Sequence, residues 1–416
     1  MICSVCKERG TEVFSRCGHI LHEKCYQKSE TCEKCKQILS EDVEDEKVFI
    51  KLLSSDLSDF EKKKLEKCLE SFKKQKVSDK KSNVILKDYD ENILENLQRF
   101  GWDINDKYFG GLNLFYQACK LDDILKLDLL IDHGIDLQKY GKKGLNRACS
   151  NSSIKAFDRL IKLGIELNPK IIFKIISRKR IKMISHVVKE GIDINFIGNK
   201  GKRPIHAAAE IGSIEMIKAL IENGADFMVV DDEGNSILHY ACLCINAKRL
   251  LTYFLESGFD FRIKNIKSLT PLMFAIKEHK YSNACFLIKH KAGLDVCDRY
   301  GNTPLHACCS GTNHLKEIKA LLSVGVDINA RNSENQTPLH VVNDWNPEEI
   351  IKILLKNGAE VNVLDDFNKS PPLYYFHKNI SKELKEVFIN GGADLTIKNS
   401  SGESILDLML KLNDNF

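Results

Sequence analysis

Eight side chains near the start of the chain have the types and the spacing to hold metal: Cys3 and Cys6, Cys17 and His19, His22 and Cys25, Cys32 and Cys35. In order they read C-x2-C, C-x-H, H-x2-C and C-x2-C, two complete tetrahedral sets of thiolates and imidazoles, the ligands that Zn2+ prefers. A closed four-ligand site leaves no position for water, so two structural zinc ions are expected and no hydrolytic zinc chemistry. Apolar residues of this segment, among them Val5, Phe14, Ile20, Leu21, Tyr26 and Ile38, are too few for a core. Metal binding must therefore supply most of its folding free energy. Spacing does not decide how the ligands pair; two sequential knuckles, a PHD-like finger and an interleaved cross-brace all accommodate this order.

The rest of the chain must position this module and whatever it serves. It has 416 residues, a formal net charge of +4 and 29% charged residues. That balance lacks the basic excess of a dedicated nucleic-acid binder. No run of 18 apolar residues is present and no hydrophobic leader precedes Cys3, so neither membrane nor secretion is expected. Cysteines outside the first 36 residues are scattered, as reduced thiols are in an intracellular, cytoplasmic protein. The acidic run Glu41, Asp42, Glu44, Asp45 and Glu46 marks a domain boundary. Phe60, Leu65, Leu69 and Phe72 then recur at helical spacing after Ser58, predicting an amphipathic helix. The basic stretch Lys73, Lys74, Lys76, Lys80 and Lys81 reads as a solvated linker.

From there self-similarity dominates. Glycines recur at Gly101, Gly134, Gly164, Gly191, Gly224, Gly258, Gly293, Gly325, Gly358 and Gly392, mostly about 33 residues apart. In phase with them run Arg203-Pro-Ile-His206, Ser236-Ile-Leu-His239, Thr270-Pro-Leu-Met273, Thr303-Pro-Leu-His306 and Thr337-Pro-Leu-His340, then the weaker Ser370-Pro-Pro-Leu373 and Ser404-Ile-Leu-Asp407. A hydroxyl caps free N–H groups and proline at the first helical position loses no needed bond, so Thr303-Pro304 starts a helix. Leu315, Ile318, Leu321 and Leu322 stripe a second helix, which Gly325 ends. One helix pair cannot close a core, so the units must stack.

This pattern resembles the ankyrin repeat, strongest over 198–402 and traceable to about residue 84. The resemblance implies that His206, His239, His306 and His340 link neighbouring units by hydrogen bonds, and that Cys119, Cys149, Cys242 and Cys308 occupy small-residue packing positions. It also implies protein binding through loop tips, which here include Asp232, Glu233, Arg299, Tyr300, Asp366, Phe367 and Lys369, with Trp345 in an extended inter-helix turn. Between 134 and 200 the repeats shorten, the capped proline start is missing, and Ser177-Arg-Lys-Arg-Ile-Lys182 replaces an expected turn. Degenerate units that still stack are the expectation there.

The N-terminal ligand order resembles the RING finger of the H2 class. That resemblance implies a cross-brace, with Cys3, Cys6, His22 and Cys25 on one zinc and Cys17, His19, Cys32 and Cys35 on the other. It further implies docking of a ubiquitin-charged conjugating enzyme, with Val5 before the second ligand and Lys36 after the last as contacts. The chain departs from active members in lacking a tryptophan before the seventh ligand and in carrying Glu33 after it.

The expected architecture is mainly α: a small zinc-stabilised RING domain (1–40), a charged linker (41–83) and an ankyrin-repeat α-solenoid of about ten units (84–416). The expected function is that of an E3 ubiquitin ligase without a nucleophile of its own, whose array binds the protein substrate. The alternative is a non-catalytic scaffold in which the finger is only a zinc-stabilised interaction module.

Overall fold

The computed structural model describes residues 12–14, 20–22, 103–105, 111–343, 347–376 and 381–411, with single helical positions at 91, 94, 95 and 98. The chain divides into two compact units, Met1–Asn168 and Pro169–Phe416.

In the first unit β1 (Glu12–Phe14) pairs antiparallel with β2 (Ile20–His22), Glu12 opposite His22. Two helix pairs follow: α1 (Gly111–Leu121) with α2 (Ile124–Asp132), and α3 (Leu137–Asn151) with α4 (Ile154–Lys162). Helices α1 and α3 approach closely because α3 carries glycine where they meet. A Cβ on Gly144 would lie 2.5 Å from the Phe115 ring, which is fully buried.

The second unit repeats the helix pair: α5 (Ile171–Ser177) and α6 (Lys182–Lys189), α7 (Pro204–Glu210) and α8 (Ile214–Glu222), α9 (Ile237–Leu243) and α10 (Lys248–Glu256). Then come α11 (Pro271–Lys277) and α12 (Tyr281–Lys289), and α13 (Pro304–Ser310) and α14 (Leu315–Ser323). Helices α15 (Pro347–Lys356), α16 (Pro371–Phe376), α17 (Lys382–Asn390) and α18 (Ile405–Lys411) complete it. First helices stack on first helices, as α7 on α9 and α9 on α11, and the apolar stripe of each second helix closes the layer. Gly325 ends α14 as expected, with φ of 79° and its N–H on the Leu322 carbonyl.

Over 134–200 the helices form as degenerate units should: α3 starts directly after the Gly134 loop, capped by Asp136, whose Oδ1 accepts from the Lys139 N–H at 2.9 Å. Two expectations are corrected. Ser177–Lys182 does not replace a turn; it is the turn between α5 and α6, with Lys179 at φ 55° and the Arg180 N–H on the Ile175 carbonyl. Thr337-Pro338-Leu339-His340 starts no α-helix among the described residues, only a turn. The carbonyls a longer helix would satisfy are met from elsewhere. The buried Tyr375 hydroxyl donates to those of Leu339 and Val342 (3.4 and 2.6 Å). The amphipathic helix from Ser58 and the basic stretch from Lys73 lie outside the described residues.

Candidate protein-interaction surface

The repeats from α9 onward carry hairpins, each built by an Asp or Asn five positions before the repeat's cap residue: Asp231, Asn265, Asp298, Asn332, Asp365 and Asn399. Its backbone N–H meets the carbonyl four residues on, as Asp298 meets Asn302 at 3.0 Å. Its Oδ1 accepts two further N–H groups, from Tyr300 and Asn302 at Asp298 (2.8 and 2.9 Å) and from Phe367 and Lys369 at Asp365 (2.9 and 2.9 Å). Burial pushes the Asp231 carboxyl up, but hydrogen bonds from Asn235, Tyr240 and Glu233 outweigh it and hold the group below the ordinary carboxylate range.

The hairpins are locked to one another as well. The Ile266 N–H meets the Glu233 carbonyl (3.0 Å), that of Ser333 meets Tyr300 (2.9 Å) and that of Asp366 meets Glu334 (3.2 Å). At their bases the repeat histidines do what the resemblance implies. Nδ1 of His206, His239, His306 and His340 accepts the cap N–H of Arg203, Ser236, Thr303 and Thr337 (3.0 to 3.3 Å). The ring proton must then sit on Nε2, which donates to the carbonyls of Val229, Leu269, Gln336 and Lys369 (2.9 to 3.2 Å). A second set of clips comes from Asn195, Asn329 and Asn362. Each Nδ2 donates to the loop glycine of the next repeat, Gly224, Gly358 or Gly392. The sequence reading found the histidines and missed both Asx sets, although each recurs in phase with the glycines.

On this scaffold the tips present apolar side chains to solvent. Ile266 is 65% exposed, Tyr300 61% and Phe367 52%, with Met228 and Val230 exposed just before the Asp231 hairpin. Charges border them: Arg299 lies over the Tyr300 ring (5.6 Å), and Lys267 pairs with Glu233 at 3.0 Å. Of the expected tip residues, Asp232, Arg299, Tyr300, Asp366 and Phe367 project and are exposed, and half-buried Glu233 joins them at the first tip. Lys369 instead stands at a hairpin base, where its carbonyl receives His340. Ile266 was not foreseen. Aromatic and aliphatic anchors on a pre-ordered frame, rimmed by charge, suit a protein interface, because little entropy is lost in ordering them.

Cys119, Cys149, Cys242 and Cys308 are buried, and burial pushes the Cys119 thiol up to about 12, so packing is their role. Val5, Lys36 and Trp345 lie outside the described residues, as do Cys3, Cys6, Cys17, His19, Cys25, Cys32 and Cys35; of His22 only its place in β2 is described. No group of three or more metal-ligating side chains lies together among the described residues, and no helix there is long and apolar enough to cross a membrane.

Comparison with known proteins agrees with this architecture. The family model described as ankyrin repeats (3 copies) matches residues 173–265, 244–332 and 272–365. These residues form an ankyrin-repeat array. The chain is similar to human SH3 and multiple ankyrin repeat domains protein 2, 29% identical over 217 residues, covering 51% of this chain and 12% of that one. It is similar to the mouse B-cell lymphoma 3 protein homolog, 28% identical over 184 residues (42% and 41%). It is also similar to the E3 ubiquitin-protein ligase KEG of Arabidopsis thaliana, 22% identical over 337 residues (65% and 20%). The chain thus spans less than half the length of each. Among solved structures, the ankyrin repeat domain of Bcl-3 matches with a TM-score of 0.42 and 24% identity, over 50% of this chain and 97% of that one.

Proposed function

We propose that this chain is a protein-binding ankyrin scaffold whose hairpin tips capture a partner protein. The observation that carries this reading is the row of exposed Ile266, Tyr300 and Phe367 on hairpins cross-linked by backbone hydrogen bonds. In quantitative affinity capture with the full chain, replacing these three residues by alanine should deplete the tip-bound partner by about tenfold or more, since truncated central anchors typically lose 2 kcal/mol or more. The fold should be unchanged, because none of the three is buried. Equal recovery by the triple variant would refute the tip row as the capture surface.

A second reading extends the first: a RING-type ubiquitin ligase that brings the captured protein to a charged conjugating enzyme. The eight Cys and His residues between 3 and 35 motivate it, and their donor chemistry suits two structural Zn2+ ions, with Cys3, Cys6, His22 and Cys25 on one and Cys17, His19, Cys32 and Cys35 on the other. The β1–β2 pairing supports it, since the connection between these strands carries Cys17 and His19, and β2 ends at His22. A relative that is itself a ubiquitin ligase, matched over 65% of this chain, points the same way. The finger would contribute position, not a nucleophile, with Val5 and Lys36 touching the conjugating enzyme and ubiquitin, and the array would raise the local concentration of target lysines. Zinc-loaded protein should then stimulate ubiquitin discharge from a charged conjugating enzyme, and Val5→Arg or the Cys32→Ser, Cys35→Ser pair should abolish it. No stimulation by folded, zinc-loaded protein across a panel of conjugating enzymes would leave the scaffold alone.

A further inference from the structure

Each helix pair has two ends. The hairpins project at one; at the other, about 10 Å away along seven-residue first helices, lie the inter-helix turns. Between the turns that follow α9 and α11 and the start of α14 opens a cleft of about 470 Å3. Ile245, 85% exposed, stands at its mouth, Tyr281 and Cys285 line it, and Lys280 and Lys316 rim it.

The exposed charge along this edge is mainly basic, with the buried Glu317 carboxylate beside Lys316. Arg178, Lys179 and Lys182 in the first turn and Lys248 near the cleft are exposed cations. The exposed acids there are Glu278 and Glu215, and Arg249 already neutralises Glu215 at 3.3 Å. Behind the cleft, buried Asn283 gives both Nδ2 hydrogens to the carbonyls of Cys242 and Cys244 (2.8 and 2.8 Å), which fixes the turn after α9. The nearby rings are engaged with each other. His279 stacks on His314 at 5.2 Å and Tyr281 meets His314 edge-on at 5.8 Å.

We propose that this cleft, at the end of the repeats away from the hairpin tips, docks an acidic peptide segment of a partner protein, with one aliphatic side chain against Ile245 and Tyr281 and flanking carboxylates on Lys280 and Lys316. A peptide meets both demands of the site: acids for the rim and an apolar anchor for the walls. The surface is separate from the tip row and stands or falls independently of it.

The test is fluorescence polarisation with the full chain and a labelled glutamate-rich peptide carrying a single central leucine. Saturable binding is expected that weakens with salt and falls by about tenfold or more in Lys280→Glu with Lys316→Glu, or in Ile245→Asp. The Ile266, Tyr300 and Phe367 alanine variant should bind as wild type, and the charge-reversed variant should gain binding to a peptide with lysines in place of glutamates. This rescue shows that the variant remains folded. The proposal is overturned if binding is not saturable, if changing the leucine to alanine leaves affinity unaltered, or if poly(U) or anionic vesicles bind more tightly through the same two lysines.

Discussion

Lowering the pH from 7 to 5 should destabilise the array steeply, and four histidines account for the slope. Burial holds His206, His239, His306 and His340 below the ordinary histidine value, partly offset by the hydrogen bond that each Nε2 makes to a carbonyl. The native rings are neutral, with Nδ1 accepting a backbone N–H, an arrangement that a second ring proton would break. In the unfolded chain they titrate near ~6.5, so below that pH the unfolded state binds more protons. Stability is fully present above ~6.5 and is lost as the pH falls toward the folded values. Each ring contributes up to about 1.4 kcal/mol per pH unit inside its window, and four together approach about 5 kcal/mol per pH unit. Urea midpoints at pH 7.5, 6.5, 5.5 and 5.0 read this directly. His306→Gln should remove about one proton from the slope, since the amide keeps a donor for the Gln336 carbonyl and does not titrate. A midpoint that does not move with pH would contradict the neutral bridging role.

Replacing Glu317 by methionine should stabilise the protein by about 1–4 kcal/mol, the range in which apolar side chains outperform buried ions. Glu317 is fully buried, both carboxylate oxygens lack a hydrogen bond, and His314 Nδ1 lies 3.8 Å away. It is the third residue of α14; the third residues of α8 and α10 are the buried Met216 and Leu250. The site is thus built for an apolar side chain, and a desolvated carboxylate there forfeits hydration without a hydrogen bond in return. Asn283, third in α12, is the instructive contrast, because its Nδ2 closes the end of α9. Denaturant unfolding of Glu317→Met at neutral pH decides the matter. A loss of stability would mean that the carboxylate has a partner whose binding outweighs its burial.

The sequence showed the repeats because glycine, proline and histidine each have a geometric duty that few residues can perform, so they recur at fixed intervals. The hairpin-building Asp231, Asn265 and Asp298 escaped because two residue types share one duty, accepting two N–H groups on Oδ1, and the alternation hides the period. Glu317 was not singled out in the sequence reading. Its place one helical turn before buried Leu321 was the available sign that it faces inward. The Thr337 turn was read as a helix because its cap motif is intact. The Tyr375 hydroxyl, from the next repeat, takes up the Val342 carbonyl there, and no local pattern carries that contact. Missing hairpins over 134–200 left the stretch looking irregular, although the helices and their packing within each unit are ordinary.

The central claim, that the hairpin tips are the protein-binding surface, is most directly tested by backbone hydrogen exchange of the full chain alone and with the partner recovered by tip-dependent capture. Slowed exchange centred on residues 232–234, 266–268, 299–301 and 366–368 is the predicted result. Slowing confined to the helices or to the inter-helix turns, with the tips unchanged, would contradict it.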